Sequence, residues 1–297
     1  MREYRQHSLS MDDGAEICVF ESGRVGEQQV VLAHAAGFHA RCWDKVVEAL
    51  PQHWHVLAVD IRGHGRSAKK PPYVWDRFAK DLISVAEHFD VSAAIGVGHS
   101  LGGHCITHVC ALAPSLFARL LLIDPVIFPP EMYRGERQQL FERVEDHPVA
   151  RRRGRFSSWR EMYERFENRA PYSLWRPDIL RDYCEYGVLP AADGDGVELA
   201  CPPVVEASVY MSNFDTDIFP LLDNIQQPVT ILRAKPRAEG TTEMDFATSP
   251  TWPALATAFA NAKDVPLPEL THFIPMQEPE MVANYICGDA VKFMGSE

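Results

Sequence analysis

The chain has 297 residues, 46% of them hydrophobic and 24% charged, a composition well outside the disordered range and long enough for one large α/β domain or one domain with an insertion. With 29 Lys+Arg against 41 Asp+Glu the formal net charge is -12, which argues against a nucleic-acid backbone or an anionic membrane surface as the main partner. No apolar run reaches the ~18 residues of a membrane span, the start MREYRQHSLSMDDGAEICVF lacks the apolar stretch of a secretory signal, and seven scattered Cys without a CxxC pair fit reduced thiols, so a cytoplasmic protein is expected.

Short apolar, β-branched runs recur at Val30–Ala33, Val56–Val59, Ala94–Val97 and Leu120–Ile123. Each is followed by turn residues, as a parallel strand buried on both faces would be. Helical spacing lies between them, at roughly Ala40–Leu50, Trp75–His88 and Leu101–Ala113. The alternation predicts an α/β fold with a mostly parallel central sheet and helices on both faces.

From 129 to 220 the texture changes. Arg, Glu and aromatic residues dominate, and no strand run appears, so a mostly helical segment is expected, with a loop at Asp193-Gly194-Asp195-Gly196. The Arg151-Arg152-Arg153 run has two readings, an anionic-ligand site or a solvated helical face, and the second is expected because Glu and Asp are interleaved with the arginines of the segment. Strand texture returns at Val229–Leu232. A helix is expected at about Thr251–Ala260, a short strand near Val265–Leu267 and a last helix at about Pro279–Phe293. The three parts are therefore 1–128 and 221–297 as core and 129–220 between them.

Gly98-His99-Ser100-Leu101-Gly102 follows an expected strand and opens an expected helix. It matches G-x-S-x-G, in which a serine sits on a strained turn and small residues two positions either side avoid the neighbouring backbone. The helix starting at Leu101 also directs unpaired N–H groups at the site, where negative charge is favoured.

Three further segments agree in order with this motif: Leu32-Ala33-His34-Ala35-Ala36-Gly37-Phe38 with Trp43, Asp60-Ile61-Arg62-Gly63-His64-Gly65-Arg66-Ser67, and Thr271-His272-Phe273-Ile274-Pro275 with Pro279. Together they resemble the α/β-hydrolase family over almost the whole chain. The resemblance implies an α/β-hydrolase fold with a helical cap inserted after the sixth strand, here 129–220. It implies Ser100 as nucleophile, His272 as general base, and the backbone N–H groups of Ala36 and Leu101 as an oxyanion hole. Ala35 and Thr271 stand where the family usually has glycine. A serine at position 100, not an aspartate, argues against the dehalogenases and epoxide hydrolases of this fold.

The triad acid has more than one candidate. Most of the family carries it a few residues past the seventh strand, where this chain has Pro236 and Arg237. Asp124 directly follows Leu121-Leu122-Ile123, and a minority of the family places the acid there. Asp124 is the expected acid, with Asp245 as the alternative and Glu243 or Glu239 after it.

The other histidines have bland readings. His34 is expected to hold its loop by a hydrogen bond, His64 belongs to the Asp60 turn, and His99 is a packing residue. His104 and His108 are four apart on one helix, but no third or fourth ligand accompanies them, so helix packing is expected and no metal.

The implied activity is a serine hydrolase cleaving a carboxylic ester or lactone through an acyl-enzyme, with no cofactor. The substrate is expected to be a small molecule, an apolar or aromatic ester or lactone, with Trp159, Tyr163 and Trp175 among the residues that would line its pocket. The alternatives on the same triad are a carbon–carbon bond hydrolase and a cofactor-free perhydrolase or acyltransferase. A non-catalytic ligand-binding protein is the alternative of another class.

Overall fold

A computed structural model describes residues 2–134, 141–238 and 245–288. Among the described residues eleven strands run in chain order: β1 (Arg5–Ser10), β2 (Glu16–Ser22), β3 (Gln29–Ala33), β4 (His55–Val59), β5 (Ala94–His99), β6 (Phe117–Ile123), β7 (Arg155–Phe156), β8 (Val188–Pro190), β9 (Val197–Leu199), β10 (Val229–Arg233) and β11 (Ala262–Pro266). Eight form one sheet in the order β1-β2-β4-β3-β5-β6-β10-β11. β1, β2 and β4 pair antiparallel and all other pairs are parallel. Chain order reverses direction across the sheet at β3, between β4 and β5, which puts a crevice at the carboxyl ends of β3 and β5.

The strands alternate between two cores, as a period of two demands. Val31, Ala33, Leu120 and Leu122 face one, and Val30, Leu32, Leu121 and Ile123 face the other. The first core is closed by α2 (Trp75–His88) and α3 (Leu101–Leu112). In α2 the buried Trp75, Phe78, Ala79, Leu82, Val85 and Ala86 repeat at three and four residues, one helical stripe. The second core is closed by α1 (Asp44–Ala49) and by the carboxyl-terminal helix Pro279–Cys287.

Several elements differ from expectation. The antiparallel pair β1–β2 precedes Val30, where no strand was expected; β1 reads Arg5-Gln6-His7-Ser8, with most of its side chains exposed, and offers no apolar run. At Thr251–Ala260 there is a single 3-10 turn, Leu255–Ala258. Pro253 lacks an N–H, and the Trp252 N–H is drawn off to the carbonyl of Ile127. The last helix ends at Cys287 because Gly288 adopts a left-handed conformation, φ +88°, that stops it; the remainder of the expected helix lies outside the described residues.

The segment between β6 and β10 holds α4 (Trp159–Phe166), α5 (Pro177–Tyr186) and α6 (Pro203–Met211), together with a three-stranded antiparallel sheet, β7-β9-β8. That sheet was not expected, since strands of two or three residues carry no readable period. Its hairpin is the Asp193-Gly194-Asp195-Gly196 stretch, with both glycines at positive φ and the Asp193 carboxylate accepting from the Asp195 N–H. A third apolar cluster ties this segment to the sheet: Phe156, Met162, Trp175, Ile179 and Tyr183 pack with Ala35 and Phe38 after β3 and with Phe273 beside His272. Between Gln277 and the start of the last helix only Glu278 intervenes, so Ile274–Gln277 is α7 and Pro279–Cys287 is α8. Among the described residues no helix is long and apolar enough to cross a membrane.

This packing encloses several imidazoles. Burial is the largest cause lowering His39, His99 and His104 to about 3 and His64 to about 4. The unfolded chain binds protons on these groups from about pH 6.5 downward while the folded chain resists until much lower pH. Stability is thus held above pH 6.5 and lost as pH falls toward 4. Burial acts in the opposite sense on carboxylates, lifting Asp182 to about 6 and raising Asp44, Asp60 and Glu206, but it lowers His34, His108 and His147 as well, so the lowered imidazoles outnumber the raised carboxylates. The urea midpoint should be lower at pH 5.5 than at pH 7.5; a midpoint that rises on acidification would contradict this assignment.

Candidate active site

β5 pairs with β6 in a register that sets His99 opposite Ile123. The next residue of each strand is Ser100 and Asp124, so the two leave adjacent parallel strands side by side. Both have positive φ, +57° and +44°. This is an uncommon conformation for a residue with a side chain, and here the surrounding hydrogen bonds hold it. Ser100 N–H donates to the Ile123 carbonyl (3.0 Å), and the Ser100 carbonyl accepts from Val126 N–H (3.1 Å). Asp124 N–H donates to the Leu232 carbonyl at the end of β10 (2.7 Å).

The turn is tight because two glycines allow it. A Cβ on Gly98 would lie 2.2 Å from the Gly102 carbonyl oxygen, and one on Gly102 would lie 2.1 Å from the carbonyl oxygen of Ala33. The absence of a side chain at Gly102 seats the first turn of α3 directly on the end of β3. It brings Leu101 near the loop that carries Ala36.

His272 bridges the two strand ends. Its Nε2 lies 2.9 Å from Ser100 Oγ, and its Nδ1 lies 2.6 Å from Asp124 Oδ2. All three residues are buried, Asp124 completely. The second carboxylate oxygen of Asp124 accepts from Ala234 N–H (3.0 Å), from Ser249 Oγ and from Thr251 Oγ1 (3.2 Å). Asp245, by contrast, is exposed and accepts from the N–H of Ala247 in its own turn. Glu239 and Glu243 lie outside the described residues.

Ser249, Thr251 and His99 had no expected place here. His99 Nε2 donates to the backbone carbonyl of His272 (2.7 Å), so a residue expected only to pack pins the segment that presents His272. Thr251 opens a stretch expected to be helical, and Ser249 lies two residues before it. A lone hydroxyl amid irregular sequence carries no motif.

The loop after β3 is held by His34, which accepts the Ile61 N–H at Nε2 (3.0 Å) and donates from Nδ1 to the Ala35 carbonyl (2.7 Å). Asp60, buried, accepts from Ala40 N–H (2.6 Å) and Arg66 N–H (2.7 Å) and closes its own turn. His104 lies edge-on to Trp75 inside the core, and among the described residues no group of three metal-ligating side chains occurs.

Aromatic side chains wall the approach to His272. Phe38 stacks on Phe273 (5.9 Å between ring centres) and touches His99, Trp175 and Tyr183, while Phe246 stacks on His272 at 6.3 Å. Of the expected lining residues, Trp175 belongs to this wall, 5.0 Å from Phe273. Trp159 and Tyr163 pack, partly buried, against the third cluster. A cavity of about 310 Å³ opens nearby, lined by Phe166, Tyr172, Tyr183 and arginines. Arg151 and Arg153 face solvent as expected, but Arg152 does not: its Nε and Nη2 are buried, and Nη2 lies 2.5 Å from Oε2 of the buried Glu206. Only Arg151 belongs to a helical turn, the 3-10 turn Pro148–Arg151, so the three side chains do not share one solvated face.

The family model described as "Alpha/beta hydrolase family" matches residues 30–285. Lipase LipV of Mycobacterium tuberculosis is 31% identical over 105 residues, 35% of this chain and 40% of that protein. The chain thus matches about two-fifths of the length of such curated relatives. Among solved structures, E-2-(acetamidomethylene)succinate hydrolase superposes with a TM-score of 0.74 at 21% identity, covering 96% of this chain and 98% of that one. The enol-lactonase from Burkholderia xenovorans LB400 superposes at 0.66 with 21% identity, covering 95% and 98%. At these identities the likeness is one of fold.

Gly102→Ala sets a side-chain carbon against backbone, which has nowhere to retreat. A loss of about 1–3 kcal/mol in chemical denaturation is expected. Wild-type stability in this variant would contradict the close approach.

Proposed function

The chain belongs to the alpha/beta hydrolase family, and from that premise we propose that it is a serine hydrolase that splits a carboxylic ester or lactone through an acyl-enzyme. The observation that carries the reading is the single imidazole of His272 bonded at one nitrogen to Ser100 Oγ and at the other to the buried Asp124.

In this reading Ser100 Oγ attacks the substrate carbonyl as its proton moves to His272 Nε2. The proton then passes to the departing alkoxide, leaving the acyl group on Ser100. Water attacks the acyl-enzyme, again giving a proton to Nε2, and collapse returns that proton to Ser100 and releases the acid. A hydroxyl is a weak nucleophile until a base takes its proton. Asp124 accepts the Nδ1–H, fixing the tautomer that leaves Nε2 free to act as base, and stabilises the imidazolium that forms. The N–H groups of Leu101 and Ala36 take the oxyanion, worth roughly 3–4 kcal/mol each by the precedent of such donors. The segment between β6 and β10 is the cap, and its aromatic wall binds the acyl or alcohol portion. The lipase and enol-lactonase names among similar proteins support the ester and lactone classes.

With 4-nitrophenyl esters of graded chain length and a lactone panel, Ser100→Ala should lose several orders of magnitude in kcat/KM while remaining folded. Retention of near wild-type turnover would remove the acyl-enzyme. Asp124→Asn should lower kcat by roughly 10⁴, as loss of the triad acid does elsewhere, whereas Asp245→Asn should stay within a few-fold. The reverse order would move the acid to Asp245 and leave the nucleophile and base standing.

A further inference from the structure

Asp124 is completely buried, and among the described residues no arginine or lysine pairs with it. Arg233, at the end of the neighbouring strand, is taken by Asp264 (3.1 and 2.7 Å). A buried carboxylate without a cation is held by neutral donors or not at all. Its two oxygens have separate tasks. Oδ2 faces His272 Nδ1 (2.6 Å), and the other donors fall on Oδ1. The carboxylate torsion of an aspartate has a broad minimum. A single donor on Oδ1, the Ala234 N–H (3.0 Å), leaves the carboxylate plane free to swing about that contact. A second donor from a different segment fixes the plane, and Ser249 supplies it.

The Ser249 hydroxyl has one proton and one direction in which to give it. Its Oγ accepts the Thr251 N–H (3.1 Å), which occupies a lone pair and leaves the O–H to Asp124 Oδ1. Thr251 Oγ1 is 3.2 Å from the same carboxylate oxygen but 2.8 Å from the Pro125 carbonyl, so its own proton serves Pro125 first. The backbone around Ser249 is tied on both sides. Ser249 N–H donates to the Lys235 carbonyl beyond β10 (2.7 Å), and Trp252 N–H donates to the Ile127 carbonyl beyond β6 (3.0 Å). Pro250 disfavours helical backbone at Ser249. The same stretch reaches the imidazole: the Phe246 carbonyl accepts the His272 N–H (3.3 Å), and the Phe246 ring stacks on His272. Residues 246–251 therefore grip both side chains on which Ser100 depends.

We propose that Ser249 is a positioning residue of the triad: its hydroxyl locks the plane of the Asp124 carboxylate, so that Oδ2 meets His272 Nδ1 and the imidazole is held for Ser100. This deepens the functional reading above and rests on the triad of Ser100, His272 and Asp124. Ser249 touches none of the reacting atoms and acts through Asp124 alone. It therefore governs the rate at which Ser100 attacks and leaves the binding of the molecule attacked unchanged. A hydroxyl that only filled a buried site would affect stability and leave the rate of the folded protein as it was.

The test uses a fluorophosphonate, with Ser100→Ala as blank and folding checked by circular dichroism. Two quantities are read: the maximal first-order rate of labelling and the reagent concentration that gives half of it. Unfolded protein lowers the end point of labelling but not this rate. Ser249→Ala should lower the maximal rate roughly 10- to 100-fold, the range for a hydrogen bond to a charged group, with the half-saturating concentration unchanged. In an Asp124→Asn background, already slow, Ser249→Ala should add no further loss, because the group it acts through is gone. Should Ser249→Ala not fold, Ser249→Cys, close in size and a weak donor, takes its place with the same expected outcomes. A wild-type rate in the folded variant overturns the proposal. So does a change confined to the half-saturating concentration, or an equal loss with and without the Asp124 carboxylate. If the wild type is not labelled at Ser100, or Asp124→Asn labels as fast as the wild type, the triad reading fails and this proposal falls with it. Slow labelling in Asp124→Asn beside wild-type labelling in Ser249→Ala removes the role of Ser249 alone.

Discussion

The seating of α3 on the end of β3 is the constraint on which the rest of the site depends. Gly102 has no Cβ, and none would fit against the Ala33 carbonyl. With the helix this close, Ser100 is forced into a turn at φ +57°, above the sheet rather than within it. The same approach brings the first N–H of α3 beside the loop holding Ala36. One missing methyl group thus sets the position of a hydroxyl. A strained turn of this kind persists only where neighbouring hydrogen bonds over-determine it. Here the Ile123 carbonyl and the Val126 N–H do so from β6 and the chain that follows it.

Parallel pairing extends the arrangement. Because His99 is level with Ile123 and Ile123 with Leu232, the residues that follow these strand ends emerge in one row. Ser100 and Asp124 are therefore neighbours by register, and Ala234, one residue past the position level with Asp124, turns its N–H onto the Asp124 carboxylate. His272 arrives from a separate segment and is held by three contacts: Asp124 at Nδ1, Ser100 at Nε2 and His99 on its carbonyl. Around this polar row stand the rings of Phe38, Phe273 and Phe246.

What was legible in the sequence follows physical scale. The parallel strands were readable because each is buried on both faces and thus continuously apolar, as in Val30-Val31-Leu32-Ala33. α2 was readable because its buried stripe runs from Trp75 to Ala86, over three turns. The glycines around Ser100 were readable because steric exclusion acts on residue type. Elements decided by tertiary partners were not. β1 is mostly polar and exists because Leu9 and its neighbours pair with β2. The strands β7, β8 and β9 are too short for a period. Ser249 and Thr251 acquire meaning only from where Asp124 sits, and Arg152 looked like its solvated neighbours because burial is invisible in a run of three arginines.

The most direct measurement is covalent trapping with a fluorophosphonate, followed by peptide mass mapping, in the wild type and in Asp124→Asn. A single adduct on the peptide containing Ser100 is expected, forming orders of magnitude more slowly when Asp124 no longer holds the imidazole. Folded wild-type protein that takes up no label, or that takes it up on another residue, would contradict the central claim that the hydrogen-bonded row of Asp124, His272 and Ser100 activates a nucleophile.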